Sequence, residues 1–239
     1  PSDRLGGSQG TQVRVVLDNI EEYQVLANQY SSEYGGGAGA IINMVTRGGT
    51  NDIRGRVYSY FRDESLNARG LFLPDNQPKP PERTLQAGFG VGGPIVKNRA
   101  HFFFTYERDN EDIAGQKRFP AAAAPLAVDQ VGFFTVRANN YFARTVLQIN
   151  DRNFVNARWL LEDAASRGEG FNTNNQTPDA QDFEADHDTM WAGTYTSVLT
   201  DRLSSVTRFG RIGESLTTAP QGFFNDDGDA IGFDGRDPF

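Results

Sequence analysis

From Asn51 onward, apolar and polar side chains alternate with a period of two over windows separated by turns. This is the pattern of strands whose two faces meet different surroundings. Seven windows are predicted: 53–62, 84–96, 100–109, 140–150, 152–162, 189–200 and 202–213. The clearest faces are Leu85, Ala87, Phe89 and Val91 against Gln86, Gly88, Gly90 and Gly92, and Phe102, Phe104 and Tyr106 against His101, Thr105 and Glu107. Val155, Ala157, Trp159 and Leu161 share one face, as do Trp191, Tyr195 and Leu199. Window 140–150 is the least regular, because Tyr141 and Leu147 oppose Phe142 and Val146. Each window meets the ~9–11 residues a strand needs to cross a bilayer. Short polar turns at Lys97-Asn98-Arg99, Asp151 and Asp201 alternate with long polar stretches at 63–83, which holds Pro74, Pro78, Pro80 and Pro81, and at 110–138. Short turns on one side and long loops on the other form the asymmetry of transmembrane β-barrels.

Residues 1–52 read differently. Val13, Val15 and Leu17 alternate as a strand, whereas Ile20, Tyr23, Leu26 and Ala27 recur at helical spacing, which predicts a short strand and then a short helix or turn. A glycine cluster (Gly35, Gly36, Gly37, Gly39) then feeds the β-branched segment Ile41 to Thr46, which stops at Gly48-Gly49. The cluster reads as a tight turn entering one buried strand. A phosphate-cradling loop needs the reverse order, strand then glycines then helix. The expected fold is mainly β: a partial transmembrane antiparallel barrel over 53–239, preceded by a small α+β segment over 1–52.

Composition narrows the class. No stretch of the 239 residues approaches the ~18 consecutive apolar residues of a membrane-crossing helix, and mean hydropathy is −0.53. Alternating strands average to such a value, so a barrel remains. Cysteine is absent, which removes disulfide and thiol chemistry. The net charge of −8 is divided into +1 over 1–150 and −9 over 151–239, with the acid gathered in Pro178 to Asp188 and Asn225 to Asp237. No basic footprint for nucleic acid is present. Pro1 to Gly10 carries no signal peptide, so the chain reads as an interior fragment of a longer protein.

The sequence presents no catalytic constellation. His101 and His187 lack a second ligand at metal-binding spacing, and no Gly-x-Ser-x-Gly elbow occurs. The adjacent pairs Glu21-Glu22 and Asp226-Asp227 point to opposite faces on a strand and cannot flank one bond. Asn225-Asp226-Asp227-Gly228-Asp229 lacks the spacing and terminal Glu of an EF-hand. Trp159 and Trp191 suit either sugar stacking or a membrane-interface girdle. No enzyme activity, cofactor or metal is expected.

Several stretches carry a resemblance. Ile20-Glu21-Glu22-Tyr23-Gln24-Val25, Ser32-Glu33-Tyr34-Gly35 and Gly39-Ala40-Ile41-Ile42-Asn43-Met44-Val45-Thr46-Arg47 resemble the end of the plug domain of TonB-dependent outer-membrane transporters, in particular the Oar-like branch. Gly48-Gly49-Thr50-Asn51, Leu66-Asn67-Ala68-Arg69, Gly92-Gly93-Pro94-Ile95 and Phe102-Phe103-Phe104-Thr105-Tyr106-Glu107 are similar to its plug–barrel junction and first strands. Arg47-Gly48 stands where Lys-Ser is usual, and Ile53-Arg54 where an aromatic-His pair is common. The resemblance covers about 13–108 well, 139–163 more loosely, and later residues only as generic hairpins.

It implies residues 1–52 as the C-terminal part of a plug and 53–239 as the start of a barrel in the outer membrane. Energy-coupled passage of an unspecified substrate would follow, with the TonB complex as partner through a segment outside this chain, and outer-membrane lipid as surroundings. Gly35, Gly36, Gly37 and Gly39 would form a plug turn. Glu21, Glu22, Glu33, Arg47, Arg54 and Arg56 are candidate plug–wall contacts, and Phe103 would pack on the plug. Two other classes fit the alternating strands: a secreted β-sandwich binding carbohydrate or serving adhesion, and an export-type or surface receptor sharing the barrel.

Overall fold

The structure, a computed structural model, describes residues 16–27, 40–69, 79–117, 130–169 and 182–220. They form two sheets. The smaller pairs β1 (Ile20–Ala27) antiparallel with β2 (Ala40–Thr46). The larger has seven strands in chain order: β3 (Arg54–Asp63), β4 (Glu82–Val96), β5 (Ala100–Lys117), β6 (Gln130–Asn150), β7 (Asn153–Glu169), β8 (Asp182–Thr200) and β9 (Leu203–Pro220). Every neighbouring pair is antiparallel, and β3 and β9 are open edges.

The helix expected over Ile20 to Ala27 is a strand. Only Leu17–Asn19 form a single 3-10 turn ahead of it. Tyr23 and Val25, which alternate on one side of β1, are both exposed, so the helical spacing reflects no buried stripe. Cross-strand pairing with β2 decides the backbone instead, from Ile20 opposite Thr46 to Ala27 opposite Ala40. Of the strand expected at Val13 to Leu17, the first part lies outside the described residues and Leu17 belongs to the 3-10 turn. Glu33 and the cluster Gly35, Gly36, Gly37 and Gly39 also lie outside the described residues.

The seven expected strands correspond to β3–β9. Their turn-side ends agree to within two residues, whereas the loop-side ends run further: β5 reaches Lys117, β7 reaches Glu169 and β8 begins at Asp182. These extensions are charged segments that read as loop in the sequence. In the sheet their backbone groups are paired across the ladder, and the inner face they present is buried, with Glu111 3% exposed, Ser166 1% and Glu184 8%.

In an antiparallel ladder directly opposite residues share a face. The register therefore assigns every side chain. The face bearing Val57, Phe89, Phe104, Tyr141, Trp159 and Trp191 is called outer, and the face bearing Arg56, Thr105, Glu107, Phe142 and Leu160 inner.

The outer face is divided by height. Toward the short turns it is largely apolar and exposed, with Val57 at 86%, Phe89 at 40% and Trp191 at 53%, and Arg211, opposite Trp191 on the edge strand β9, is its charged member. Rings touch there, Phe89 with Phe104 at 6.1 Å between centroids, Tyr106 with Tyr141 at 5.0 Å and Trp159 with Trp191 at 5.8 Å. Phe209 lies over Gly193, where a Cβ would collide with the ring. Above Tyr106, Tyr141 and Leu161 the same face becomes polar, with Arg108, Asn110 and Asp112, then Asn139 and Arg137, then Asp163 and Arg167, and His187 on β8. On β7 the apolar run Val155, Ala157, Trp159 and Leu161 covers about 20 Å of extended chain, the greater part of the ~25 Å of a barrel's lipid-facing band. A sandwich would bury such a face against a second sheet; here it stays open.

The inner face is closely packed at mid-height. Phe142 (1% exposed) and Leu160 (3%) are opposite neighbours, and Phe103 meets Phe142 edge-on at 6.1 Å. Phe103 thus has a partner in the wall itself, beside Gly92. This also explains the irregular window: β6 is apolar on both faces because Phe142 fills the inner one and Tyr141 the outer.

Candidate functional site: the seam between the two sheets

The smaller sheet is tied to the inner face of the larger by a few polar contacts. Asp18, in the 3-10 turn before β1, pairs with Arg56 of β3 at 2.7 Å, and the same guanidinium donates to the Asp18 carbonyl. The next residue, Asn19 (1% exposed), uses its side-chain oxygen to accept from the Thr105 hydroxyl on β5. At the end of β2, the Thr46 carbonyl accepts from Arg144 of β6, whose Nε also donates to Asn156 at 3.2 Å. Arg47 closes the smaller unit on itself, its backbone N–H donating to the Asn19 carbonyl at 2.7 Å and its Nε to the Asp18 carbonyl at 3.1 Å.

The chain between the sheets is stapled to the first short turn. Asn51 donates through Nδ2 to Asn98 Oδ1 at 2.6 Å, and its Oδ1 accepts from the Asn98 N–H at 2.7 Å and lies 2.8 Å from His101 Nε2. Asn98 holds φ at 63°, a left-handed conformation that asparagine tolerates in tight turns. Gly49 lies directly on the larger sheet, where a Cβ would collide with the carbonyls of Phe102 and Gly93. A glycine is required there for close backbone approach.

Of the sequence candidates, Arg56 reaches across the seam. Arg47 stays within the smaller unit. Among the described residues, Arg54 makes an exposed local pair with Asp52 at 3.7 Å. Glu21 and Glu22 are exposed, and the charge of Glu21 acts on Arg144 across the seam. Asp18, Asn19, Thr46 and Arg144 were not legible as seam residues, whereas Thr105 shares the strand face that turns Phe103 toward the plug. Of the former, Arg144 alone had a signal, a single guanidinium inside the apolar run Tyr141 to Val146.

Beside the seam lies a cavity of about 290 Å³ whose lining includes Thr46, Arg144, Asn156, Arg158, Thr194 and Arg208. Arg144 and Arg158 are directly opposite in register, so the wall is strongly basic at this height. The seam is therefore polar in its direct contacts, and those contacts are of modest strength. Hydrogen bonds to charged groups contribute roughly 1.5–3 kcal/mol at best, and part-exposed ion pairs under about 1 kcal/mol.

Comparison with known proteins bears on the larger sheet. Residues 45–135 match a family model described as an outer membrane beta barrel domain. Over 92 residues the chain is 28% identical to the TonB-dependent transporter Oar of Myxococcus xanthus; the match covers 36% of this chain and 9% of that transporter. No solved structure matches. The resemblance read from the sequence thus holds, and the protein is an outer-membrane protein with a barrel domain.

Proposed function

We propose that residues 1–52 are the C-terminal part of a plug, that β3–β9 are the first strands of the barrel wall, and that the whole protein moves a substrate across the outer membrane under energy supplied by a TonB complex. The observation that carries this is the seam. A plug must block a hydrated lumen and yet leave its seat under force. Apolar interfaces do not suit that task, because their burial is large and continuous. The contacts of Asp18 with Arg56, Asn19 with Thr105 and Thr46 with Arg144 suit it, being few, polar and exchangeable for water. The match to a transporter supports the same reading. The apolar outer belt favours a membrane-embedded wall over a secreted sandwich.

The test uses the full-length chain in its own membrane. Arg56→Ala combined with Arg144→Ala should loosen the plug and raise entry of large antibiotics, while a Lys97→Ala control on the short turn should not. Permeability and substrate uptake both unchanged would mean that the smaller sheet is no plug.

A further inference from the structure

The inner face also carries a line of acid at one height, separate from the seam. Register sets Glu107 opposite Asn140, Asn140 opposite Glu162, Glu162 opposite Asp188 and Asp188 opposite Glu214. Five consecutive strands thus contribute Glu, Asn, Glu, Asp and Glu to one row. The next row toward the loops adds Asp109 and Asp186 on the same face, and register places no Lys or Arg in either row. Like charges directly opposite each other destabilise a strand pair, and Glu162, Asp188 and Glu214 are three in succession.

Asn140 is the second observation. It is 4% exposed, and neither its Oδ1 nor its Nδ2 has a partner. Buried amides are almost always hydrogen-bonded, so an amide free at both ends between two carboxylates points to a ligand that fills the row. Glu107 and Asp188, 1% and 2% exposed, each also keep one unpartnered oxygen, although Tyr58 donates to the other oxygen of Glu107 at 2.8 Å.

We propose that this row binds a linear polyamine, a chain of ammonium groups joined by short methylene spacers. Among the described residues no cluster of acidic or histidine side chains is gathered tightly enough to hold one metal ion. The carboxylates are instead strung out at the strand spacing, ~4.8 Å per step, which short methylene spacers reproduce. A basic peptide presents same-face charges every ~6.8 Å and falls out of step. Each carboxylate accepts an N–H from one ammonium group. The Asn140 oxygen accepts another where a further carboxylate would add unneeded repulsion. This names a substrate class for the transport reading and rests on that reading's inner face lining a passage.

Titration calorimetry of the full-length chain, folded in detergent micelles, tests it with spermine, spermidine and putrescine. Saturable binding is expected, tightest for spermine and weakening as salt rises. Asp188→Asn with Glu107→Gln should weaken spermine by roughly tenfold or more. Asn140→Leu should weaken it without changing the salt dependence, since no charge is lost. Asp163→Asn, next in sequence to Glu162 but on the outer face, should leave it unchanged. Heat-modifiable migration on a gel reports folding for each variant, and Asp188→Asn alone replaces the double variant if that one misfolds. Absence of saturable binding, equal affinity in all variants, or magnesium displacing spermine at equal concentration would overturn the proposal. Spermine binding without energy-dependent uptake would sink the transport reading alone. Uptake of another solute with no spermine binding would sink this one alone.

Discussion

The lower and upper halves of the outer face belong to the same strands, yet they are built for different solvents. On β7 the belt reads Val155, Ala157, Trp159, Leu161, and the collar above it continues with Asp163 and Arg167. On β8 the belt holds Leu199, Tyr195 and Trp191, and the collar begins at His187, which sits 3.5 Å from Asp163. Backbone pairing does not change across the boundary, so the ladder is indifferent to what surrounds it. Only the side chains register where hydrocarbon ends, and the aromatic contact of Tyr106 with Tyr141 stands at that height.

The largest expected effect comes from placing one charge on each side of the boundary. Phe104→Arg lies in the belt and should destabilise the protein in bilayers by about 2–4 kcal/mol, whereas Asn110→Arg, six residues along the same face of β5, should cost about 0–1 kcal/mol. Urea unfolding of the full chain in lipid vesicles measures both. Equal costs would erase the distinction between belt and collar.

Next comes the inner face at the boundary height, where Gly88 lets Tyr58 cross to Glu107. A Cβ on Gly88 would lie 2.6 Å from the Tyr58 hydroxyl and 2.7 Å from the Tyr106 carbonyl. Gly88→Val should therefore cost about 1–3 kcal/mol through overpacking and the lost hydrogen bond. Gly210→Ala, whose nearest neighbour would be 3.7 Å away, should stay within about 0.5 kcal/mol. The same unfolding assay separates the two.

Smaller changes sharpen the comparison through their salt response. Trp191→Ala removes the ring contact with Trp159 and should cost about 0.5–1.5 kcal/mol at any ionic strength. In the collar, Asp112→Asn breaks the pair with Arg137 at 2.6 Å, both side chains about 40% exposed. Its cost should be under about 1 kcal/mol and should vanish in high salt. A salt-sensitive Trp191→Ala would place that ring in water.

The belt was legible in the sequence and the collar was not. Alternation identifies a strand only when its faces contrast, as Phe102, Phe104 and Tyr106 do with Thr105 and Glu107. Where both faces carry polar side chains, as Arg108, Asn110 and Asp112 do on one and Asp109 and Glu111 on the other, the contrast disappears, so Arg108 to Lys117 and Asp182 to Asp188 read as loop although they are paired strand. At β1 the failure had another cause. Ile20, Tyr23 and Leu26 fell at helical spacing by chance in a segment whose exposed face carries Tyr23 and Val25, and pairing with β2 overrode it. The seam was legible at Arg56, and at Thr105 through the face it shares with Phe103. Asp18, Asn19 and Thr46 act largely through backbone carbonyls and short side chains, which leave no pattern in a sequence.

The lipid-facing belt is tested most directly by cysteine labelling on β8, since the chain has no cysteine of its own. His187 and Trp191 stand on the same outer face, four residues apart, and their exposures in the chain are nearly equal, 58% for the His187 side chain and 53% for Trp191. Exposure alone therefore predicts equal reaction with a membrane-impermeant thiol reagent. In the full-length protein embedded in lipid, a cysteine at 187 should react and one at 191 should not, with both reacting after unfolding. Equal labelling of the two in the folded, lipid-embedded protein would contradict the belt and with it the barrel wall.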